Sequence, residues 1–122
     1  MIIIGDQFIP YEKIQRVNSI EDIASTISNS TLVFKFEKNI MQYCMQNDIN
    51  YGVEVLNIKE SIYANSMKAK YIFCTDDIIQ EVQKIAENYL FDSKIIATIS
   101  SENEIEDIAL NGIDGVVFKA IL

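Results

Sequence analysis

The chain has 122 residues, 49% of them hydrophobic and 23% charged, a domain-sized composition that supports a core of its own and excludes a disordered chain. Eighteen acidic residues against ten basic ones leave a net charge of −8. The basic residues are scattered and Arg16 is the single arginine, so neither nucleic-acid binding through displaced counterions nor adhesion to an anionic membrane is expected. With no histidine in the chain, His-based triads, His metal ligands and His pH switches are excluded.

In chain order, the first thirty residues stand apart from the rest. Ile2–Ile4, Gly5-Asp6-Gln7 and Phe8-Ile9 read as a small hairpin, with Pro10 at its end because proline cannot donate to a ladder. Ser19-Ile20-Glu21-Asp22 opens a short helix with Ile20, Ile23, Ala24 and Ile27 on one side. From residue 31 a rhythm sets in. Runs rich in β-branched and aromatic residues recur at Thr31–Phe36, Tyr51–Leu56, Lys70–Cys74, Lys94–Ile99 and Gly115–Lys119, with helical patterns between them, as in a parallel strand–helix–strand sheet.

Helix starts are marked by capping boxes at Asn57…Glu60, Asp77…Gln80 and Ser101…Glu104. In the fourth helix Ile78, Val82, Ile85 and Tyr89 share a face that Ile79, Ala86 and Leu90 widen. Ile105, Ile108 and Ala109 face inward in the last helix, and Asn111-Gly112 supplies its left-handed stop. Lys35 and Glu54 interrupt two strands and are expected either to pair across them or to mark an edge or a partly open face, where charge discourages strand addition. The expected fold is α/β: a five-stranded, mainly parallel, doubly wound (flavodoxin-like) sheet with helices on both faces. It forms one domain, 1–122, in which 1–30 is an N-terminal hairpin-and-helix extension and 31–122 are repeating strand–helix units. The alternative is a half-barrel-like (β/α) arrangement, which would leave an apolar face exposed and need a partner.

Ligands of such sheets bind beyond the carboxyl ends of the strands, which here carry Glu37, Lys38, Asn57, Thr75, Asp76, Asp77, Thr98, Ser100 and Lys119. Asp76, Asp77, Thr98 and Lys119 are the candidate binding residues. No catalytic residue, metal site or cofactor is expected. The four glycines form no phosphate-binding loop. Cys44 and Cys74 lie in apolar patterns and read as buried free thiols. Met1–Gly5 has no basic flank and is too short for a signal peptide, and no apolar run is long enough to span a bilayer. A cytoplasmic protein is expected, with a protein partner or self-association and without nucleic acid or membrane.

Two family resemblances run along these residues. Lys94-Ile95-Ile96-Ala97-Thr98 followed by Asn111-Gly112-Ile113-Asp114-Gly115-Val116-Val117-Phe118-Lys119 resembles the last strand–helix–strand of response-regulator receiver domains. Tyr71-Ile72-Phe73-Cys74-Thr75-Asp76 offers the place of their phospho-accepting aspartate. This resemblance implies a receiver-like or pseudo-receiver module that is non-enzymatic and acts through protein contacts. Gly52-Val53-Glu54-Val55-Leu56-Asn57-Ile58-Lys59-Glu60 with Met67–Phe73 is similar, more weakly, to part of phosphogluconate-aldolase-type barrels. That likeness implies a small lyase using Lys119 and acidic strand-end residues on a phosphorylated or carbonyl substrate.

Overall fold

The computed structural model describes residues 1–122. The strands are β1 (Ile2–Ile4), β2 (Ile14–Arg16), β3 (Thr31–Lys35), β4 (Tyr51–Glu54), β5 (Tyr71–Cys74), β6 (Lys94–Ile99) and β7 (Gly115–Phe118). The α-helices are α1 (Ile20–Ile23), α2 (Lys38–Gln46), α3 (Ile58–Ser66), α4 (Ile79–Asn88) and α5 (Ile105–Leu110). Single 3-10 turns occupy Glu102–Glu104 and Lys119–Ile121. The five expected runs are all strands. Their apolar β-branched side chains suit a ladder buried on both faces.

The sheet corrects the expected architecture in three respects. It has seven strands in the order β1-β7-β6-β5-β4-β3-β2, every pair parallel. Ile2–Ile4 makes no hairpin with Phe8-Ile9; it pairs with β7, while residues 14–16 form a separate edge strand beside β3. The sheet is also not doubly wound. From β2 to β7 each strand lies beside the next in sequence, so crossovers of one hand place all helices on one face. The core shows this directly: Ile40, Met41, Cys44, Ala64, Ile79, Val82 and Ala86 of α2–α4 join one cluster with Leu32, Phe34, Val53, Ile72, Ile95 and Val116 of the strands. The arrangement is the half-barrel alternative.

The other face is not left bare. Ile4, Val33, Tyr71, Phe73, Ile96 and Val117, from five strands, are all buried and form a second cluster. The sheet curls until these inward side chains meet one another, so no partner is needed to cover them. Ile121 and Leu122 pack onto the same cluster. Arg16 Nε on the β2 edge donates to the carbonyl oxygen of Leu122 at 2.9 Å, drawing the two sides of the sheet together at the strands' carboxyl end. No helix is long and apolar enough to cross a membrane.

Four helices end alike. Asp48, Lys68, Leu90 and Gly112 each take a left-handed backbone (φ 55°, 66°, 53° and 72°). After each, the next N–H reaches five residues back, from Ile49 to Cys44, Ala69 to Ala64, Phe91 to Ala86 and Ile113 to Ile108. This Schellman stop turns the chain into the following strand. The expected stop at Gly112 is present, and three further ones are built without glycine. The stop at Leu90 also corrects the fourth helix: Ile79, Val82, Gln83 and Ala86 are its buried face, whereas Tyr89 and Leu90 are 77% and 83% exposed.

At the amino end of the strands, the segment joining β1 to β2 is held by Glu12. Its carboxylate accepts hydrogen bonds from the Thr31 and Tyr71 hydroxyls and pairs with Lys70 Nζ at 2.9 Å. Burial pushes the Glu12 carboxyl up, but the bonds from Thr31, Tyr71 and Lys70 outweigh it and hold the group below its ordinary value of 4.5. A depressed carboxyl contributes stability that is present above its unfolded pKa and is lost as pH falls through the folded one. Glu12→Gln is therefore expected to cost about 1 kcal/mol at neutral pH. The difference from wild type should shrink as pH falls and the depressed carboxyl takes up its proton. Urea melts at pH 7 and pH 3 check this, and an equal deficit at both would remove the carboxylate from the explanation.

Candidate functional site at the carboxyl ends of the strands

Alternation along each strand decides what faces the inside of the curl. Register pairs Lys35 with Glu54, Glu54 with Phe73, Phe73 with Ile96 and Thr98 with Val117. Because Phe73, Ile96 and Val117 belong to the inner cluster, the last inward positions of β3, β4 and β6 are Lys35, Glu54 and Thr98. Arg16 ends β2, and Thr75, Ser100 and Lys119 follow β5, β6 and β7.

These residues line two adjoining hollows. One, of about 550 Å³, is bordered by Arg16, Glu54, Thr75, Asp76, Thr98, Ser100, Glu104, Lys119 and Leu122. The other, of about 360 Å³, is bordered by Lys35, Phe36, Glu54, Val55, Leu56, Glu60, Phe73, Cys74, Thr75 and Thr98. Glu54, Thr75 and Thr98 are common to both, so they form one continuous mouth.

Of the four candidate residues, Asp76, Thr98 and Lys119 come together in the larger hollow. Asp77 does not join them. It accepts a hydrogen bond from the Thr75 hydroxyl, and it also fails as the expected cap of α4: that helix starts at Ile79 without a side-chain cap. The N–H groups of Ile78 and Ile79 both turn back to the carbonyl of Thr75, which shifts the start by one residue. Lys35 and Glu54 are register partners but not an ion pair. Glu54 instead binds Arg16 at 2.6 Å, and Lys35 has no carboxylate within 4.0 Å. The role of Arg16 was not read from the sequence. Its being the single arginine of the chain was the available signal.

Most other carboxylates at this end are engaged in building the helix starts. Glu37 accepts from the Ile40 N–H. Asn57 caps α3 by accepting from the Glu60 N–H, but the Glu60 side chain reaches back to the Leu56 N–H and not to that of Asn57, so the expected capping box is only half formed. Glu104 closes the expected capping box with Ser101 and also takes the Ser100 N–H. Such carboxylates satisfy orphan donors and complement the helix dipole. No three cysteine or acidic side chains converge as a metal site would require.

The thiols are removed from chemistry by burial. It pushes Cys44 up to about 11, and it pushes Cys74, with the nearby charge of Asp77 adding to it, up to about 12. Since the thiolate is the reactive form, a disulfide reagent should modify both cysteines quickly in urea and only at the rate of unfolding in native buffer. Fast native labelling at either would contradict the packing described. Comparison with models of known protein families and with curated proteins gave no match.

Proposed function

We propose that the chain is a non-enzymatic regulatory module of receiver-like habit that works by contact with a protein partner. One observation carries this reading. At the end of the sheet where chemistry would be sited, the acids other than Asp76 cap helices, bind Arg16 or accept from Thr75, and in the one hydroxyl–carboxylate contact, Thr75 with Asp77, no third side chain orients the carboxylate. An activated nucleophile is built from such a chain of three groups. A surface supports the reading further: Tyr89, Leu90 and Leu110 are exposed where α4 and α5 end, and these helices pack on the neighbouring strands β6 and β7. Exposed apolar groups placed together mark contact sites.

The enzymatic alternative rests on Lys119, whose position at the mouth of a barrel-like sheet suits an amine that attacks a carbonyl. Lys119 is exposed, however, without the desolvation that makes a lysine nucleophilic. Three treatments of the full chain test the choice. Borohydride with a panel of keto acids should trap no adduct. Acetyl phosphate with Mg²⁺ should leave the mass unchanged, because no group of three acidic side chains converges at Asp76 to hold the ion. A partner cross-linked to wild type should be lost from the Leu90→Asp/Leu110→Asp double variant and kept by Lys119→Ala. An adduct lost in Lys119→Ala would establish the lyase instead, and a phosphoryl group on Asp76 would make the module a working receiver.

A further inference from the structure

We propose that the mouth at the carboxyl ends of the strands binds a small organic polyanion, of the phosphate-ester or di- and tricarboxylate class. The inference rests on the regulatory reading above and gives that module something to sense. Its basis is the pairing of charges rather than their sum.

The carboxylates lining the mouth are Glu54, Glu60, Asp76 and Glu104. Glu54 is matched by Arg16, Glu60 accepts the Leu56 N–H, and Glu104 accepts two N–H groups, from Ser100 and Ser101. Asp76 alone is unmatched, and it stands on the side that borders the separate hollow between α4 and α5.

The cations are in the opposite condition. Lys35 and Lys119 are both exposed at the rim, and the two ion pairs of the protein, Arg16–Glu54 and Lys70–Glu12, include neither. Arg16 gives two of its five N–H donors to Glu54 and Leu122, leaving the rest of its fork available. Arg16 and Lys119 border the larger hollow and Lys35 the one adjoining it, with Glu54, Thr75 and Thr98 shared between the two. Thr98 of β6, the strand beside β7, and Ser100 just after it border the larger hollow, and their hydroxyls take no part in the hydrogen bonds that hold this end together.

Two free ammonium groups, part of a guanidinium and two free hydroxyls are what an oxyanion requires, with lysine supplying charge and hydroxyl groups supplying direction. The larger hollow, at about 550 Å³, lies within the range that holds a small molecule. Distant surface charges are screened over roughly 8 Å at physiological salt, so the balance is set by the lining, where Arg16 neutralises Glu54 and Glu60 and Glu104 are turned to the helix starts.

The test uses the isotopically labelled full chain, titrated with inorganic phosphate, with citrate and with chloride at matched ionic strength, and followed by NMR. Phosphate or citrate should shift the amides of Lys35, Thr98, Ser100 and Lys119 and saturate in the low-millimolar range. Whichever saturates earlier identifies the class. Lys35→Ala/Lys119→Ala should weaken that binding by about tenfold while leaving the rest of the spectrum in place, and Lys84→Ala on the exposed face of α4 should not. Non-saturating shifts equal to those from chloride, or a double variant that titrates like wild type, would overturn the proposal. Saturable binding accompanied by a borohydride-trapped adduct would keep the site and discard the regulatory reading. Partner capture without anion binding would do the reverse.

Discussion

Gly115→Ala is expected to detach β1 and to cost about 3 kcal/mol, toward the top of the range for overpacked sites. Gly115 begins β7 and is the register partner of both Ile2 and Ile96. A methyl group there would lie 2.6 Å from the carbonyl oxygen of Ile2 and 2.9 Å from a methyl of Ile96. The isoleucine tip can turn aside, but the Ile2 oxygen is backbone and moves only if the strand moves. Urea unfolding gives the loss, and hydrogen exchange at Ile2–Ile4 gives its location, with those amides expected to lose protection before any in β3–β6. Gly112→Ala is the comparison. Nothing lies within 4 Å of an added Cβ there, so only the left-handed backbone (φ 72°) is strained, at about 1 kcal/mol. Equal losses at the two glycines would mean that β1 does not depend on the close approach.

Phe73→Ala is expected to cost about 3–5 kcal/mol, the figure for emptying a packed core site. Phe73 is 2% exposed and its ring lies 6.0 Å from that of Tyr71, centroid to centroid. Both belong to the inner cluster that no helix covers. If the curl were shallow and this face wet, the truncation would cost well under 1 kcal/mol. Ile72→Ala, on the helix-facing side of the same strand, provides the scale: comparable losses at both positions show that the strand has two dry faces. The urea dependence of unfolding should stay close to wild type in both variants, since neither changes how much surface the native state buries.

The central strands and the helix stops were legible because their signals are local. Thr31–Lys35, Lys94–Ile99 and Gly115–Phe118 fall within one residue of the runs of β-branched side chains, and Asn57, Ser101 and Gly112 act where their spacing put them. The edges were not legible. Residues 14–16 are too few to show alternation, and their strand identity comes from β3 alongside. Phe8 was read as strand for its apolarity, yet it is 88% exposed. The handedness of the winding was hidden for a different reason. Strand spacing is the same whether successive helices fall on one face or two, and only the order of pairing separates the cases. In the candidate site, residue type marked Asp76, Thr98 and Lys119 correctly as strand-end neighbours. The pairing of Glu54 with Arg16 instead of Lys35 depends on residues 14–16 lying as a strand beside β3, two strands from Glu54, and that edge strand was the one not legible.

The order of the strands also fixes when each one can be laid down. As the chain leaves the ribosome, β3 can dock beside β2 once the segment between them has emerged, then β4 beside β3, and so on to β7, each step closing a loop of similar modest length. The first three-residue strand is the exception. Its only neighbour is β7, so Ile2–Ile4 must wait for Gly115–Phe118 to emerge, and it waits as an apolar strand with unpaired backbone. Closing that longest loop is the slowest entropic step in the topology. Until it closes, the unfinished sheet presents the raw edge of whichever strand is newest and carries β1 as a second unpaired apolar edge. The sheet is thus most vulnerable to pairing with its neighbours on a polysome at the moment before β7 docks, and a chaperone that holds Ile2–Ile4 would protect it longest.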